Sequence, residues 1–356
     1  MRFRITPRKD GRVARIYYSE ERLAKDSPIA FWGNIDEAFG MDISWTHADN
    51  LFKGRHPNTG EDLTRKRLGK RSGWDMTFVA PKTASVLWGL SDPSAREKIL
   101  REHLLSVDKG LQTLSDQAIY TQIKGNDENG KARTIRVPVL HGGFVFNHGM
   151  SRWTDPHLHS HVFLLNLGYL PMQGKWRSIS IDYRWSYVAK GIYLLNFAWG
   201  LKQLGYRIKK TGKTFVVHGL EPVVSAFTRA SDVFSINKVE SATAWKEIRK
   251  KKDLSKNFDR LRTYWRTRAL VNGLDLEQIS PSLNNAGTNS DDDQEKFDMA
   301  AVRIKNAAAR HLAHVWQNVI FEAIGRLSPE DCQTVIDIET ERFLHFPLRD
   351  KENMRR

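Results

Sequence analysis

The chain has 356 residues, 40% of them apolar, with 11 Trp, which excludes a disordered polymer and leaves room for more than one folded unit. Lysine and arginine number 56 against 41 Asp and Glu, a formal charge of +15, so a polyanion is the expected partner, either nucleic acid or an anionic membrane surface. The single cysteine, Cys332, excludes an internal disulfide or a thiolate metal cluster and fits a reducing cytoplasm.

The first residues, MRFRITPRKDGRVARIYY, are basic but carry no apolar run, so no secretory signal is expected, and no stretch approaches the ~20 apolar residues of a membrane span. "GWDMTFVA" (Gly73–Ala80) alternates, with Asp75, Thr77 and Val79 on one side and Trp74, Met76 and Phe78 on the other, as in a half-buried strand. Pro81 and Lys82 end that strand, and "SDPSAREKILREHLLSVDKGLQTLSDQ" (Ser91–Gln117) then predicts a helix, with Asp92 as N-cap, Pro93 in its first position and Ile99, Leu104, Leu105 and Leu111 as its buried stripe. "AIYTQIK", the turn "GNDENG" and "ARTIRVPVL" form a hairpin pattern, and "GGFVFNH" and "LHSHVFLLNLGYL" add two strands. A long amphipathic helix follows from Asp182 to the stop at Gly205, then a second hairpin with its turn at Thr211–Lys213.

From Ile236 to Leu270 the pattern is helical, and 11 Lys and Arg stand against 4 Asp and Glu, with Trp245, Tyr264 and Trp265 among them. This block offers charge and rings to a single strand of nucleic acid, or is simply a solvated helical face. "NNAGTNSDDDQE" (Asn284–Glu295) has the composition of a linker, and a last helical block runs from about Phe297 to about Phe343. The expected division is a core over residues 1–235, a basic helical flap over 236–283, a linker over 284–295 and a helical segment over 296–356.

Four of the 12 histidines fall in "NHGMSRWTDPHLHSH": His148, His157, His159 and His161. His159 and His161 are two apart in a strand-like run, so their imidazoles share a face, and an antiparallel return through "GMSRWTDP" brings His148 opposite them. Three imidazoles without a thiolate make an open site that suits Zn, Ni, Co or Mn better than Mg; a His-rich surface turn is the alternative. His157 reads as a loop or outer-shell residue. Near the N-terminus Tyr17 and Tyr18 are adjacent. A tyrosine of pKa near 10 becomes a usable nucleophile only beside a polarised phosphate and a base; otherwise the pair is an aromatic element of a first strand.

Together these pieces resemble the MobF-class conjugative relaxases (the TrwC/TraI type) of the HUH endonuclease superfamily. The resemblance is carried, in the family's order, by "IYYSEE", "FWGNIDEAFGMD", "LFKGRHPNTGEDL", "GWDMTFVAPKTASVL" and "FVFNHGMSRWTDPHLHSHVFLLN", and it extends to about Leu220. It implies an α+β fold, a central antiparallel β-sheet flanked by helices, with a C-terminal helical flap. His148, His159 and His161 match the family's ligands for a divalent metal ion (Mn, Mg, Zn, Ni or Co), and Tyr17 matches the nucleophile, with Tyr18 its neighbour. Asp75 matches the carboxylate that orients a ligand histidine and is expected to help activate the tyrosine, and Lys82 and Arg152 match basic positions expected to contact DNA phosphate. The implied activity is nicking of single-stranded origin-of-transfer DNA beside its hairpin, through a 5′-phosphotyrosyl intermediate and a free 3′-OH. The implied partners are relaxosome accessory proteins and a separate helicase or coupling protein.

One departure from the family's pattern and one decoy are visible. Where larger members carry a second tyrosine pair, this chain reads "RLAKDSP" (Arg22–Pro28), which puts a two-pair mechanism of ending transfer in doubt. "KKTGKT" (Lys209–Thr214) imitates the end of a phosphate-binding loop, but the glycine expected five residues before Gly212 is Arg207, so no ATP is expected there. With no such motif the chain reads as a relaxase without a helicase: stand-alone, truncated or an N-terminal part. The alternatives are an HUH nuclease of rolling-circle replication or transposition, a non-catalytic single-stranded-DNA-binding module, and a metal hydrolase of small phosphoesters that would not need Tyr17.

Overall fold

The computed structural model describes residues 4–8, 29–64, 71–126, 130–151, 153–227, 258–274 and 311–344. Tyr17, Tyr18, Arg152, Trp245 and the expected linker 284–295 lie outside the described residues. The chain divides into two compact units. One comprises Met1–Phe78, Leu111–His148 and His159–Ser186; the other comprises Val79–Gly110, Gly149–Leu158 and Tyr187–Arg356.

The first unit is organised by an antiparallel sheet. Its strands are β1 (Arg4–Arg8), β2 (Ala30–Gly33), β3 (Gly73–Val79), β6 (Leu140–Met150), β7 (Pro156–Leu170) and β8 (Lys175–Arg177). They lie in the order β1-β3-β7-β6-β2, with β8 on β7. β4 (Ile119–Asn126) and β5 (Ala132–Val137) form the expected hairpin, and β9 (Ser180–Ile181) pairs with β4. β6 and β7 are neighbours joined only by residues 151–155, too short for a parallel crossover, so the chain must return antiparallel.

The sheet has one face that changes character along its length. Phe144 and Phe146 of β6 and Phe163, Leu165 and Leu167 of β7 enter one apolar cluster with Ile35, Ile43, Leu51 and Phe52. Period two carries that same face to His148 on β6 and to His159 and His161 on β7. β6 and β7 approach closely: a Cβ on Gly143 would lie 2.3 Å from the Phe163 carbonyl oxygen, which only glycine avoids. β3 is less half-buried than its alternation predicts. Trp74, Met76 and Phe78 are buried as expected, but Asp75 is buried too, because it is paired rather than solvated.

In the second unit α1 (Lys82–Leu90) is buried from Thr83 to Leu90. The long helix α2 (Pro93–Gln117) begins as expected, with the Ala95 N–H donating to Asp92 Oδ1 at 3.0 Å. Its stripe is corrected: Leu105 is 51% exposed, while His103, Ser106, Val107 and Leu114 join Ile99 and Leu111 inside. Spacings of three and four connect these positions, and Leu105 falls off that line. α3 (Ser186–Gln203), preceded by a 3-10 turn, is buried on most of its circumference rather than amphipathic, and Gly205 closes it at φ 91°. β10 (Ile208–Thr211) and β11 (Thr214–Val217) make the second hairpin around Gly212 at φ 55°, so "KKTGKT" is strand–turn–strand and not a strand–loop–helix phosphate cradle. α4 (Phe258–Val271), α5 (Leu312–Ala323) and α6 (Pro329–Leu344) are the remaining long helices among the described residues. His311 caps α5, its Nδ1 accepting from the Ala313 N–H at 3.1 Å.

His103 is fully buried against Tyr193, whose hydroxyl stands 2.9 Å from its Nδ1, and burial pushes the imidazole down to about 3. The folded value lies below the unfolded one, so between pH 6.5 and 3 the unfolded chain binds the extra proton and stability falls as pH falls. The slope is about 1.4 kcal/mol per pH unit. Urea titrations at pH 6.5 and pH 5 should show the native protein losing up to ~2 kcal/mol more than His103→Gln. Equal losses would mean that His103 titrates normally in the fold.

Candidate metal centre

β6 brings in His148, β7 brings in His159 and His161, and β3 and β1 supply what surrounds them. The ligand nitrogens of the three histidines all lie within 4.8 Å of one another. His148 Nδ1 and His159 Nε2 are 3.3 Å apart. The ring centroids stand 5.0, 5.2 and 5.2 Å apart, close to an equilateral triangle. Nitrogens bonded at ~2.0–2.1 Å to one ion stand roughly 3–3.5 Å from each other, so the group fits a single divalent ion with small adjustment. His148 is 0% and His159 7% exposed, and a metal would compensate the burial of imidazoles gathered at one point.

Around this triangle the hydrogen bonds fix direction. Asp75 Oδ1 lies 2.9 Å from His161 Nδ1 and accepts its proton, leaving the lone pair on Nε2 for a ligand bond. The Thr77 hydroxyl reaches the same Nδ1 at 3.2 Å. The other Asp75 oxygen accepts from the Arg8 guanidinium, so both carboxylate oxygens are held. β1 makes this possible through its antiparallel register on β3, with Thr6 opposite Asp75 and Arg8 opposite Gly73. Between the ligands, the Ser160 hydroxyl donates to Asn147 Oδ1 at 2.7 Å and ties β7 to β6. Arg8, Thr77, Asn147 and Ser160 were not singled out from the sequence. Asn147 and Ser160 adjoin ligands, and Thr77 shares the parity of Asp75, which are signals a face-by-face reading would catch. Arg8 has no such signal, because only strand pairing brings it to Asp75.

The structure therefore brings together His148, His159, His161 and Asp75. His157 is corrected: it is the second residue of β7 rather than a loop residue, and it stays outside the metal-competent group. Lys82 opens α1 half-buried, with Nζ donating to the Pro156 carbonyl at 2.8 Å. Burial lowers its pKa to about 8, against the opposing pull of the Asp155 charge. Of the aromatic residues in the basic block, Trp265 is buried, its indole N–H donating to the Thr154 carbonyl at 2.8 Å, whereas Tyr264 is 45% exposed. Trp265 is thus a core residue and not a stacking platform. Among the described residues no helix is long and apolar enough to cross a membrane.

The fold is that of a relaxase. It matches solved structures of the conjugative relaxase TrwC in complex with oriT DNA, one copper-bound at TM-score 0.63 and 22% identity. A second, metal-bound, matches at TM-score 0.63 and 21% identity; each match covers 77% of this chain and 99% of that one. A family model described as TrwC relaxase matches residues 7–271, and the chain belongs to that family. It is also 33% identical over 141 residues to the multifunctional conjugation protein TraI of Escherichia coli, a match covering 37% of this chain and 7% of that protein. The chain thus spans a small part of the curated relatives it resembles.

Proposed function

We propose that this chain nicks one strand of origin-of-transfer DNA by tyrosine transesterification. The observation that carries the proposal is the convergence of three imidazole nitrogens within 4.8 Å on a sheet whose adjacent strands β3 and β1 hold Asp75 and Arg8. Family membership and the oriT DNA held in the TrwC structures support it. His148, His159 and His161 would hold a divalent ion. When bound, that ion supplies Lewis-acid polarisation of a scissile phosphate and neutralises charge on its oxygens. Asp75 keeps the His161 proton on Nδ1 and so presents Nε2, while Arg8 holds Asp75 in place.

Tyr17 supplies the nucleophile. Its phenolic oxygen forms a bond to phosphorus, the P–O3′ bond breaks, and the tyrosyl proton ends on the 3′ oxygen. Ester replaces ester, so the free 3′-OH can re-attack and reseal. Asp75 is the family's candidate for relaying that proton; since both its oxygens already accept hydrogen bonds, the orienting role is the better supported. The basic surplus of the chain provides the electrostatic attraction for the strand, and on the family's pattern Tyr18 is the neighbour of the nucleophile and Arg152 a contact to DNA phosphate. A cytoplasmic location, and accessory proteins with a separate helicase or coupling protein, complete the reading.

The test is a covalent-adduct assay. Labelled single-stranded oligonucleotides tiled across the replicon carrying this gene are incubated with the protein and Mn²⁺, then run on denaturing gels. A protein-sized shift abolished by EDTA is expected on one tile. Cleavage without an adduct would support a metal hydrolase instead, and tight binding without cleavage a binding module.

A further inference from the structure

On the family's pattern the stretch APKTAS, Ala80–Ser85, contributes only Lys82, as an expected contact to DNA phosphate. The geometry points to a different role: Ala80, Lys82 and Ser85 form a clamp on the first residues of β7, and Lys82 is a positioning residue for the metal centre. The inference rests on the metal-centre reading above.

Three hydrogen bonds make the clamp. Lys82 Nζ donates to the Pro156 carbonyl at 2.8 Å. The Ala80 N–H donates to the Leu158 carbonyl at 3.0 Å. The Leu158 N–H donates to Ser85 Oγ at 3.1 Å. Leu158 immediately precedes His159 and is 0% exposed, so both of its backbone groups are committed to this one stretch. The loop before it is pinned as well. The Ser151 N–H donates to the Asp155 carbonyl, closing the turn, and the Trp265 indole holds the Thr154 carbonyl at φ 61°, a conformation threonine seldom takes. Pro156 fits against Gly89, where an added Cβ would come within 2.9 Å of it. All these contacts lie in one compact unit.

The physical need is clear. A ligand set works only when its imidazoles are held to within ~0.5 Å, and strand ends next to short loops fray first. His159 is the fourth residue of β7. Fixing Pro156 and Leu158 fixes the strand just before it, through the chain itself. A phosphate contact has the opposite requirement, an ammonium exposed to solvent and free to reach its anion. Lys82 is half-buried with a donor given to a main-chain carbonyl.

The test uses the full chain and Co²⁺, whose visible ligand-field bands report geometry as well as affinity. Lys82→Met and Ser85→Ala are titrated beside the native protein, and the salt dependence of single-stranded oligonucleotide binding is measured without metal. The expected result is a roughly tenfold loss of Co²⁺ affinity with altered bands in both variants, as for residues that support ligands from behind. The salt slope should be unchanged. If Lys82→Met does not fold, Ser85→Ala decides the metal arm alone. Native-like Co²⁺ binding in the folded variants overturns the clamp, and so does a salt slope smaller by about 0.7, the loss of one phosphate contact. Failure of the native chain to bind Co²⁺ overturns the metal-centre reading along with it.

Discussion

Tyr17→Phe is expected to abolish the covalent DNA adduct, a loss on the order of 10³-fold or more, while leaving strand binding and metal affinity near native. The phenolic oxygen is the only atom removed, and it is the atom that must bond to phosphorus. The measurement is adduct yield on denaturing gels, beside oligonucleotide affinity by fluorescence anisotropy. Tyr18→Phe serves as the comparison. If the adduct survives Tyr17→Phe but disappears in Tyr18→Phe, the nucleophile is one residue further on. Survival in both single variants would show that either ring can attack. Loss of binding together with adduct in Tyr17→Phe would make the ring a substrate contact.

His159→Ala should lower metal affinity by at least about 100-fold and reduce adduct formation below detection, and Asp75→Asn should lie between it and the native protein, with roughly a tenfold loss. The grading follows from the geometry. In the proposed centre His159 would offer a nitrogen to the ion itself, whereas Asp75 would reach it only through the His161 ring, which it holds at 2.9 Å. Asparagine keeps the shape of the side chain but places an amide where a carboxylate accepted from both His161 and Arg8. Calorimetric titration with Mn²⁺ measures the affinities, and the adduct assay reads the consequence. Equal affinity in native protein and His159→Ala would remove His159 from the ligand set. A loss in Asp75→Asn as large as in His159→Ala would make Asp75 a ligand rather than an orienting residue.

Much of this protein can be read along the chain. The H-x-H spacing set His159 and His161 on one face because strand side chains alternate, and the short connection to His148 left only an antiparallel return. The α2 N-cap at Asp92, the stop at Gly205 and the turn at Gly212 followed from local backbone chemistry, which acts over a few residues. The limits of periodic reading also have physical causes. Leu105 is apolar but off the buried line of α2, and α3 is enclosed on most sides, so its apolar pattern did not mark a single face. Trp265 looked like a stacking ring because composition does not record that its indole N–H is spent on the Thr154 carbonyl.

By itself, then, the sequence determined the candidates for the proposed site: three imidazoles at strand spacing, a carboxylate on an alternating strand, a tyrosine pair and a basic surplus. These are properties of residue type and of neighbours two to a dozen positions apart. The tertiary structure alone decided how they are held. Arg8 meets Asp75 across 67 residues of chain, Ser85 meets Leu158 across 73, and Lys82 turns to the Pro156 carbonyl across 74. Such partners are chosen by sheet register and helix packing, which no local spacing encodes. They convert a set of suitable side chains into a centre with fixed ligand directions.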